Sequence, residues 1–126
     1  MSNKLLIVDD EKDARDFLGN ILIREGYFVK TAASGEEALE LVKKEDFDAV
    51  LLDVVMSGMS GLEVLKKLRE TKPDLIVILL TAIGYDQKMI DKCMEDGCSG
   101  YIGKSIPVSQ IIASIKLFIE SKKRSG

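Results

Sequence analysis

The sequence contains no histidine, which removes several kinds of catalytic site at once. Without an imidazole the chain has no histidine general acid or base, no histidine phosphoryl carrier of its own and no Cys–His nucleophile pair. Its two cysteines, Cys93 and Cys98, form one C-x4-C pair without a second pair, so a zinc site cannot be assembled from them. We interpret both as buried, reduced thiols.

Long apolar runs and an excess of basic residues are also missing. The apolar runs are far shorter than the ~20 residues of a membrane span, and the N-terminus shows no signal-peptide pattern, so we expect a cytoplasmic protein without a membrane segment. A formal net charge of −3 gives no positive field for nucleic acid. We interpret the basic run at 122–124 as a solvated helix end, with a functional basic patch as the alternative.

The 126 residues are 46% hydrophobic and 31% charged, as expected of one globular domain over residues 1–126. Short apolar runs alternate with helical patterns, and this alternation predicts an α/β fold, a doubly wound parallel sheet of five strands and five helices. We predict strands at Lys4–Val8, Phe28–Ala32, Ala49–Leu52, Leu75–Leu80 and Gly100–Ile102.

Local signals set the helix ends. Capping boxes that begin at Ser34 and Ser60 predict the starts of the second and third helices, and Gly26 and Gly97 predict the ends of the first and fourth. The predicted apolar faces are Ala14, Phe17, Leu18, Ile21 and Leu22 on the first helix, Leu62, Leu65 and Leu68 on the third, and Met89, Ile90, Cys93 and Met94 on the fourth, within 86–96.

Five polar residues follow or end the predicted strands. Asp9 and Asp10 come after the first strand, Asp53 after the third, Thr81 after the fourth and Lys104 near the end of the fifth. The carboxyl ends of parallel strands share one edge of a sheet, and the strand order 2-1-3-4-5 makes the first and third strands neighbours. We therefore expect all five side chains to converge at that edge.

The adjacent carboxylates of Asp9 and Asp10 predict a cation site. Neighbouring like charges raise one another's pKa unless a cation relieves them, and Mg²⁺ prefers carboxylate, carbonyl and water oxygens. Asp53 would share the ion across the two strands. The alternative is that Asp9 and Asp10 only cap the following helix.

Thr81 and Lys104 add a hydroxyl donor and a mobile positive charge. Each has an ordinary alternative, as a strand-end residue and a surface lysine respectively. Together with three carboxylates and a metal, they supply what in-line phosphoryl transfer requires: a nucleophile, a metal and donors that neutralise charge.

The sequence resembles the receiver domains of two-component response regulators of the chemotaxis and sporulation-regulator type. Four blocks carry the resemblance, in this order: I-V-D-D-E at Ile7–Glu11, D-V-V-M-S-G-M-S-G at Asp53–Gly61, L-T-A at Leu80–Ala82 and G-Y-I-G-K at Gly100–Lys104. The resemblance covers essentially the whole chain and implies the same flavodoxin-like fold.

The resemblance also implies roles for the site residues. Asp53 would accept a phosphoryl group from the phosphohistidine of a histidine kinase or histidine phosphotransfer protein. Asp10, Asp53 and the backbone carbonyl of Val55 would bind Mg²⁺, with Asp9 orienting a metal water. Thr81 and Lys104 would then contact the phosphoryl oxygens.

The switch would be read on the surface of the fourth helix, fifth strand and fifth helix. Tyr101 would be the switch aromatic there, although an ordinary strand aromatic is the alternative. That surface would control an effector domain or a downstream protein, or form a dimer after phosphorylation, without direct nucleic acid binding. Such a domain catalyses only its own phosphorylation and dephosphorylation.

Two residues depart from the usual family pattern, which has proline in place of Ser57 and Ser105. The Lys-Pro peptide of the family is often cis, whereas a cis bond before serine costs about 2.5–4 kcal/mol. Either the peptide before Ser105 is trans and Lys104 arrives by another loop path, or the loop is strained. Val55 and Ile83 are apolar and β-branched, so we expect them to exclude water and prolong phosphorylation, unless they only pack the loops.

A feature of the sequence argues against each of three other functions on the same kind of fold. A flavodoxin-type electron carrier needs phosphate-binding donors after the first strand, where Asp9 and Asp10 would repel a phosphate. A phosphatase of the haloacid dehalogenase type needs a second aspartate where this chain has Val55. A purely structural pseudo-receiver would lack one of the five site residues, and none is lacking.

Overall fold

The chain folds as a five-stranded parallel sheet with helices on both faces. The computed structural model describes residues 3–54, 56, 58–81, 87–104 and 106–125, and at Thr81, Met89 and 122–125 it describes the backbone alone. The elements are β1 (Lys4–Val8), α1 (Lys12–Arg24), β2 (Phe28–Ala32), α2 (Gly35–Lys44), β3 (Ala49–Asp53), α3 (Gly61–Thr71), β4 (Ile76–Thr81), α4 (Gln87–Glu95), β5 (Gly100–Gly103) and α5 (Val108–Ser125).

The strand order is β2-β1-β3-β4-β5, with every neighbouring pair parallel. The predicted fold and strand order are therefore confirmed. The bounds of β1 and β2 match the prediction, while β3 and β5 extend one residue further and β4 is shifted by one. These shifts place Asp53 and Thr81 as the last residues of β3 and β4.

The core consists of two apolar layers, one on each face of the sheet. In β1, Leu5 and Ile7 pack on the side of α1 and α5, whereas Leu6 and Val8 pack on the side of α2 and α3. Side chains of a strand alternate between the two faces, so a strand covered on both faces must be apolar throughout. This explains the uninterrupted apolar runs. Packing on both faces also holds in place the strands whose carboxyl ends carry the polar residues.

The serine caps of both predicted capping boxes are present. Ser34 Oγ accepts a hydrogen bond of 3.1 Å from the backbone N–H of Glu37, and Ser60 Oγ accepts one of 3.3 Å from that of Glu63. Gly26 and Gly97 follow α1 and α4 with φ of 98° and 94°, a backbone region that favours glycine at a helix end. No described helix is long and apolar enough to cross a membrane.

Phe17 and Met94 were predicted to lie on buried helix faces, and this was wrong. Their side chains are 60% and 50% exposed. In α3, conversely, Val64 is fully buried although the predicted face did not include it. Helical periodicity shows which residues share a stripe, but the width of the stripe that meets the sheet depends on the packing of the neighbouring helices.

Gly61 places the start of α3 directly against the end of β3. A Cβ atom at this position would lie 2.6 Å from the carbonyl oxygen of Asp53 and 2.8 Å from the Cα of Val54. Because backbone atoms cannot yield as a side chain can, we expect Gly61→Ala to lower the free energy of unfolding by about 1–3 kcal/mol. The amide resonance of Asp53 should shift as well.

Gly19 in α1 provides the matched control. A Cβ atom there would meet only side-chain carbons of Ile7 and Val29, at an ordinary 3.8 Å. Gly19→Ala should therefore raise the free energy of unfolding by up to about 1 kcal/mol, because alanine favours a helix over glycine. Urea unfolding followed by circular dichroism measures both variants. Equal stabilities of the two variants would contradict the steric argument.

Candidate functional site

Three carboxylates meet where β1 and β3 end. One oxygen of each of Asp9, Asp10 and Asp53 lies within 4.8 Å of the other two. Asp9 and Asp53 are only 2% and 7% exposed, whereas Asp10 is exposed. The pairing of Val8 with Leu52 sets this arrangement, because the next residue along each strand is then an aspartate. The structure thus brings together the three acidic residues predicted from the sequence.

Asp9 is held by hydrogen bonds on both its backbone and its side chain. Its N–H donates to the carbonyl of Ala32 at 3.2 Å, and its Oδ1 accepts from the N–H of Glu11 at 3.0 Å. Its carbonyl oxygen accepts from Nη1 of Arg15 at 2.7 Å. A buried carboxylate requires such partners, and together they fix the direction of the side chain.

Lys104 reaches the same carboxylates from the end of β5. Its Nζ lies 3.0 Å from Oδ2 of Asp9 and 3.3 Å from Oδ2 of Asp53. Burial by itself lowers the pKa of Lys104, but the hydrogen bond that Lys104 donates to Asp9 and the charges of Asp53 and Asp9 outweigh it, so the pKa is raised. Lys104 is therefore a stable positive charge at neutral pH.

A pocket of about 210 Å³ between α1 and α5 borders Lys104 and Asp9. Its walls are mainly apolar. The remaining lining residues are Ile7, Ala14, Phe17, Leu18, Leu80, Val108 and Ile111. Because the Lys104 side chain is only 35% exposed, its ammonium depends more strongly on its two carboxylate partners than a fully solvated ammonium would.

The carboxylate cluster fits a hard divalent cation. The ammonium of Lys104 can neutralise at most one of the three negative charges of the cluster, and the ligand atoms of the cluster are all carboxylate oxygens. Oxygen ligands of this kind suit Mg²⁺, which retains several waters beside one or two carboxylates. The exposure of Asp10 leaves room for those waters.

Other predicted site residues are only partly described. Thr81 is the last residue of β4 and pairs with Gly103 of β5, which places it on the same edge of the sheet. Val55, Ile83, Ser57 and Ser105 lie outside the described residues. The conformation of the peptide before Ser105 therefore stays a prediction.

Tyr101 lies on β5, at the edge of the sheet, and is 41% exposed. Its neighbour Ile102 packs on the face of α1 and α5, so the alternation of the strand directs Tyr101 to the face of α4. Tyr101 is thus on the surface that the sequence predicts as the switch.

The sequence reasoning missed the contact between Arg15 and the Asp9 carbonyl. The only available signal was a cationic residue in the first turn of the helix that follows the acidic pair. Long side chains at such positions usually point into solvent, and the pattern does not distinguish the two cases.

Comparison with known proteins identifies the family. Residues 5–116 match the model of the response regulator receiver domain. The chain belongs to this family. As a receiver domain it is similar to sporulation initiation phosphotransferase F of Bacillus subtilis, with 36% identity over 97% of the chain and 98% of that protein.

This receiver domain is also 33% identical to the response regulator MprA of Mycobacterium ulcerans over 98% of the chain, but spans only 53% of that protein. Among solved structures, the response regulator TrrA of Thermotoga maritima, in complex with Mg²⁺ and BeF, has a TM-score of 0.83 and 36% identity, covering 94% of this chain and 99% of that one. The family suggested by the sequence blocks is confirmed, and the acidic cluster fits the phosphorylation site of a receiver domain.

Proposed function

We propose that this receiver domain is a Mg²⁺-dependent phosphoacceptor and that Asp53 is the residue phosphorylated. One observation carries the proposal: a nearly buried aspartate lies 3.3 Å from a lysine ammonium and within 4.8 Å of two further carboxylates. The carboxylates of Asp9 and Asp10 are suited to binding a cation, and the ammonium of Lys104 is suited to contacting a phosphoryl oxygen. Such a site combines a nucleophile with the charges that phosphoryl transfer requires.

In the proposed reaction, a carboxylate oxygen of Asp53 attacks the phosphorus of a phosphohistidine. The new O–P bond forms as the P–N bond breaks, and the electron pair of that bond returns to the imidazole nitrogen of the donor. The product is an aspartyl phosphate. The donor is a histidine kinase or a histidine phosphotransfer protein, which is consistent with the absence of histidine from this chain.

Asp10, Asp53 and the backbone carbonyl of Val55 would hold Mg²⁺, and Asp9 would orient a water at the ion. When bound, the ion neutralises charge on the phosphoryl oxygens and on the attacking carboxylate. The relative from Thermotoga maritima was solved with Mg²⁺ and BeF, which supports a Mg²⁺ site in this chain. Lys104 and the hydroxyl of Thr81 would contact the phosphoryl oxygens after transfer.

We infer that the phosphoryl charge is read on the face formed by α4, β5 and α5, with Tyr101 as its switch. A new dianion recruits Lys104, at the end of β5, and thereby biases that strand and its neighbours. An effector domain, a downstream protein or a second phosphorylated copy would recognise the altered face in the cytoplasm. Val55 and Ile83 would keep water from the aspartyl phosphate and prolong its lifetime.

Acetyl phosphate tests the proposal with a small donor. Incubation with Mg²⁺ should add one phosphoryl group to the chain, measured by intact-mass spectrometry, and chelation of Mg²⁺ should prevent the addition. Labelling that is equally fast with and without Mg²⁺ would contradict the metal assignment.

A further inference from the structure

The start of α1 is held differently from the starts of α2 and α3. Glu11, the N-cap residue, makes no side-chain capping bond, whereas Ser34 and Ser60 each accept one. Arg15 instead reaches back from the first turn of α1, and its Nη1 donates a 2.7 Å hydrogen bond to the carbonyl oxygen of Asp9. This charge-assisted contact links the helix to the strand end that carries the acidic residues.

We propose that Arg15 is a positioning residue for the cation site. The peptide bond is planar, so the carbonyl of Asp9 and the N–H of Asp10 belong to one rigid unit. Arg15 holds the oxygen of that unit and thereby sets the direction in which the Asp10 side chain leaves the backbone. The proposal rests on the Mg²⁺ site proposed above.

Asp10 is the carboxylate whose backbone Arg15 affects most directly, because the Asp9 carbonyl belongs to the peptide that leads into Asp10. Asp10 follows β1, is exposed, and faces two negative charges that repel it. A fixed backbone plane opposes this repulsion and keeps an Asp10 oxygen near the other two.

The positive charge of Arg15 weakens Mg²⁺ binding, whereas its hydrogen bond to Asp9 would strengthen it. The direction in which the Mg²⁺ affinity changes when Arg15 is removed therefore tests the proposal. A guanidinium near a cation site repels Mg²⁺, so removing it would tighten Mg²⁺ binding if charge were its only contribution. If Arg15 orients the ligands, removing it weakens binding. Loss of a group that orients a metal ligand typically reduces metal affinity by ~10–100-fold.

The test compares Mg²⁺ titrations of the full chain and of Arg15→Met, followed by amide chemical shifts. Arg15→Met should raise the Mg²⁺ dissociation constant about tenfold, at the low end of that range. Without metal, the amide hydrogens of Asp10 and Glu11 should exchange faster in the variant. Arg15→Lys, which keeps a donor on a long side chain, should recover much of the affinity.

Lys12→Met is the matched control, because Lys12 lies in the same turn and carries the same charge but pairs with Asp16 at 2.8 Å. It should bind Mg²⁺ as the parent does.

Unchanged or tighter binding by Arg15→Met, beside a parent that responds to Mg²⁺, would overturn the role of Arg15 alone. A parent without any Mg²⁺ response would overturn the proposed cation site and this role with it. If Arg15→Met does not fold, Arg15→Gln, which shortens the donor, is expected to weaken Mg²⁺ binding in the same way.

Discussion

Asp53→Asn should abolish covalent phosphorylation by acetyl phosphate under conditions that label the parent chain completely. The amide has nearly the same shape as the carboxylate, but it lacks the charge and the nucleophilic oxygen that would form the O–P bond. Asp9 should not substitute, because its side chain is already held by the Glu11 N–H and by Lys104. Intact-mass spectrometry in Mg²⁺ buffer measures the loss.

Asp46→Asn is the control for this prediction. Asp46 is a fully solvated carboxylate, 3.7 Å from Lys72, and lies before β3 on the chain rather than at its end. It should be labelled as fast as the parent. Persistent labelling of Asp53→Asn, with circular dichroism showing a folded chain, would mean that another residue accepts the phosphoryl group.

Most of the fold followed from the sequence because each strand is buried on both faces. Leu51 and Ile78, for example, are fully buried within unbroken apolar runs, and a run of that kind between two helical patterns has few other structures available to it. The serine caps at Ser34 and Ser60 set helix starts by local hydrogen bonds alone. Local signals of this kind are visible in sequence.

The site was predictable as a set of residues but not as a geometry. The rule that carboxyl ends of parallel strands share an edge brought Asp9, Asp10 and Asp53 together, and the structure agrees. The placement of Lys104 between two carboxylates depends on the path of β5, and the contact of Arg15 depends on a rotamer. Phe17 was misplaced for a similar reason, because its exposure depends on how α1 packs beside α5.

In metal-free buffer, Lys104→Met should lower the free energy of unfolding by about 1–3 kcal/mol. Removing one partner of a buried ion pair usually costs about 3–5 kcal/mol, and we reduce this value because the Lys104 side chain is 35% exposed and therefore partly screened. Asp9 and Asp53 would then repel each other and Asp10 without a nearby ammonium. Urea unfolding followed by circular dichroism suits this chain, which has no tryptophan.

The direction in which the pKa of Lys104 is shifted determines the pH at which the unfolding of Lys104→Met should be measured. The pKa of Lys104 is raised above its usual 10.5, so its contribution to stability is fully present below that pH and is lost only as the pH rises through the pKa of the folded state. At pH 7 to 8 the whole contribution is present. The difference between parent and variant should therefore be constant there and shrink only in strongly alkaline buffer.

Mg²⁺ should restore much of the stability that Lys104→Met loses, because the ion supplies positive charge to the same three carboxylates. The variant should bind Mg²⁺ more tightly than the parent, and a ligand that binds only the folded state stabilises it more when its affinity is higher. Lys116→Met is the control. It removes a lysine that pairs with Glu25 at 2.7 Å, away from Asp9, Asp10 and Asp53, and it should leave the Mg²⁺ response unchanged. If Mg²⁺ stabilises Lys104→Met no more than the parent, then Lys104 and the cation do not share the carboxylates, and the charge argument for this site is wrong.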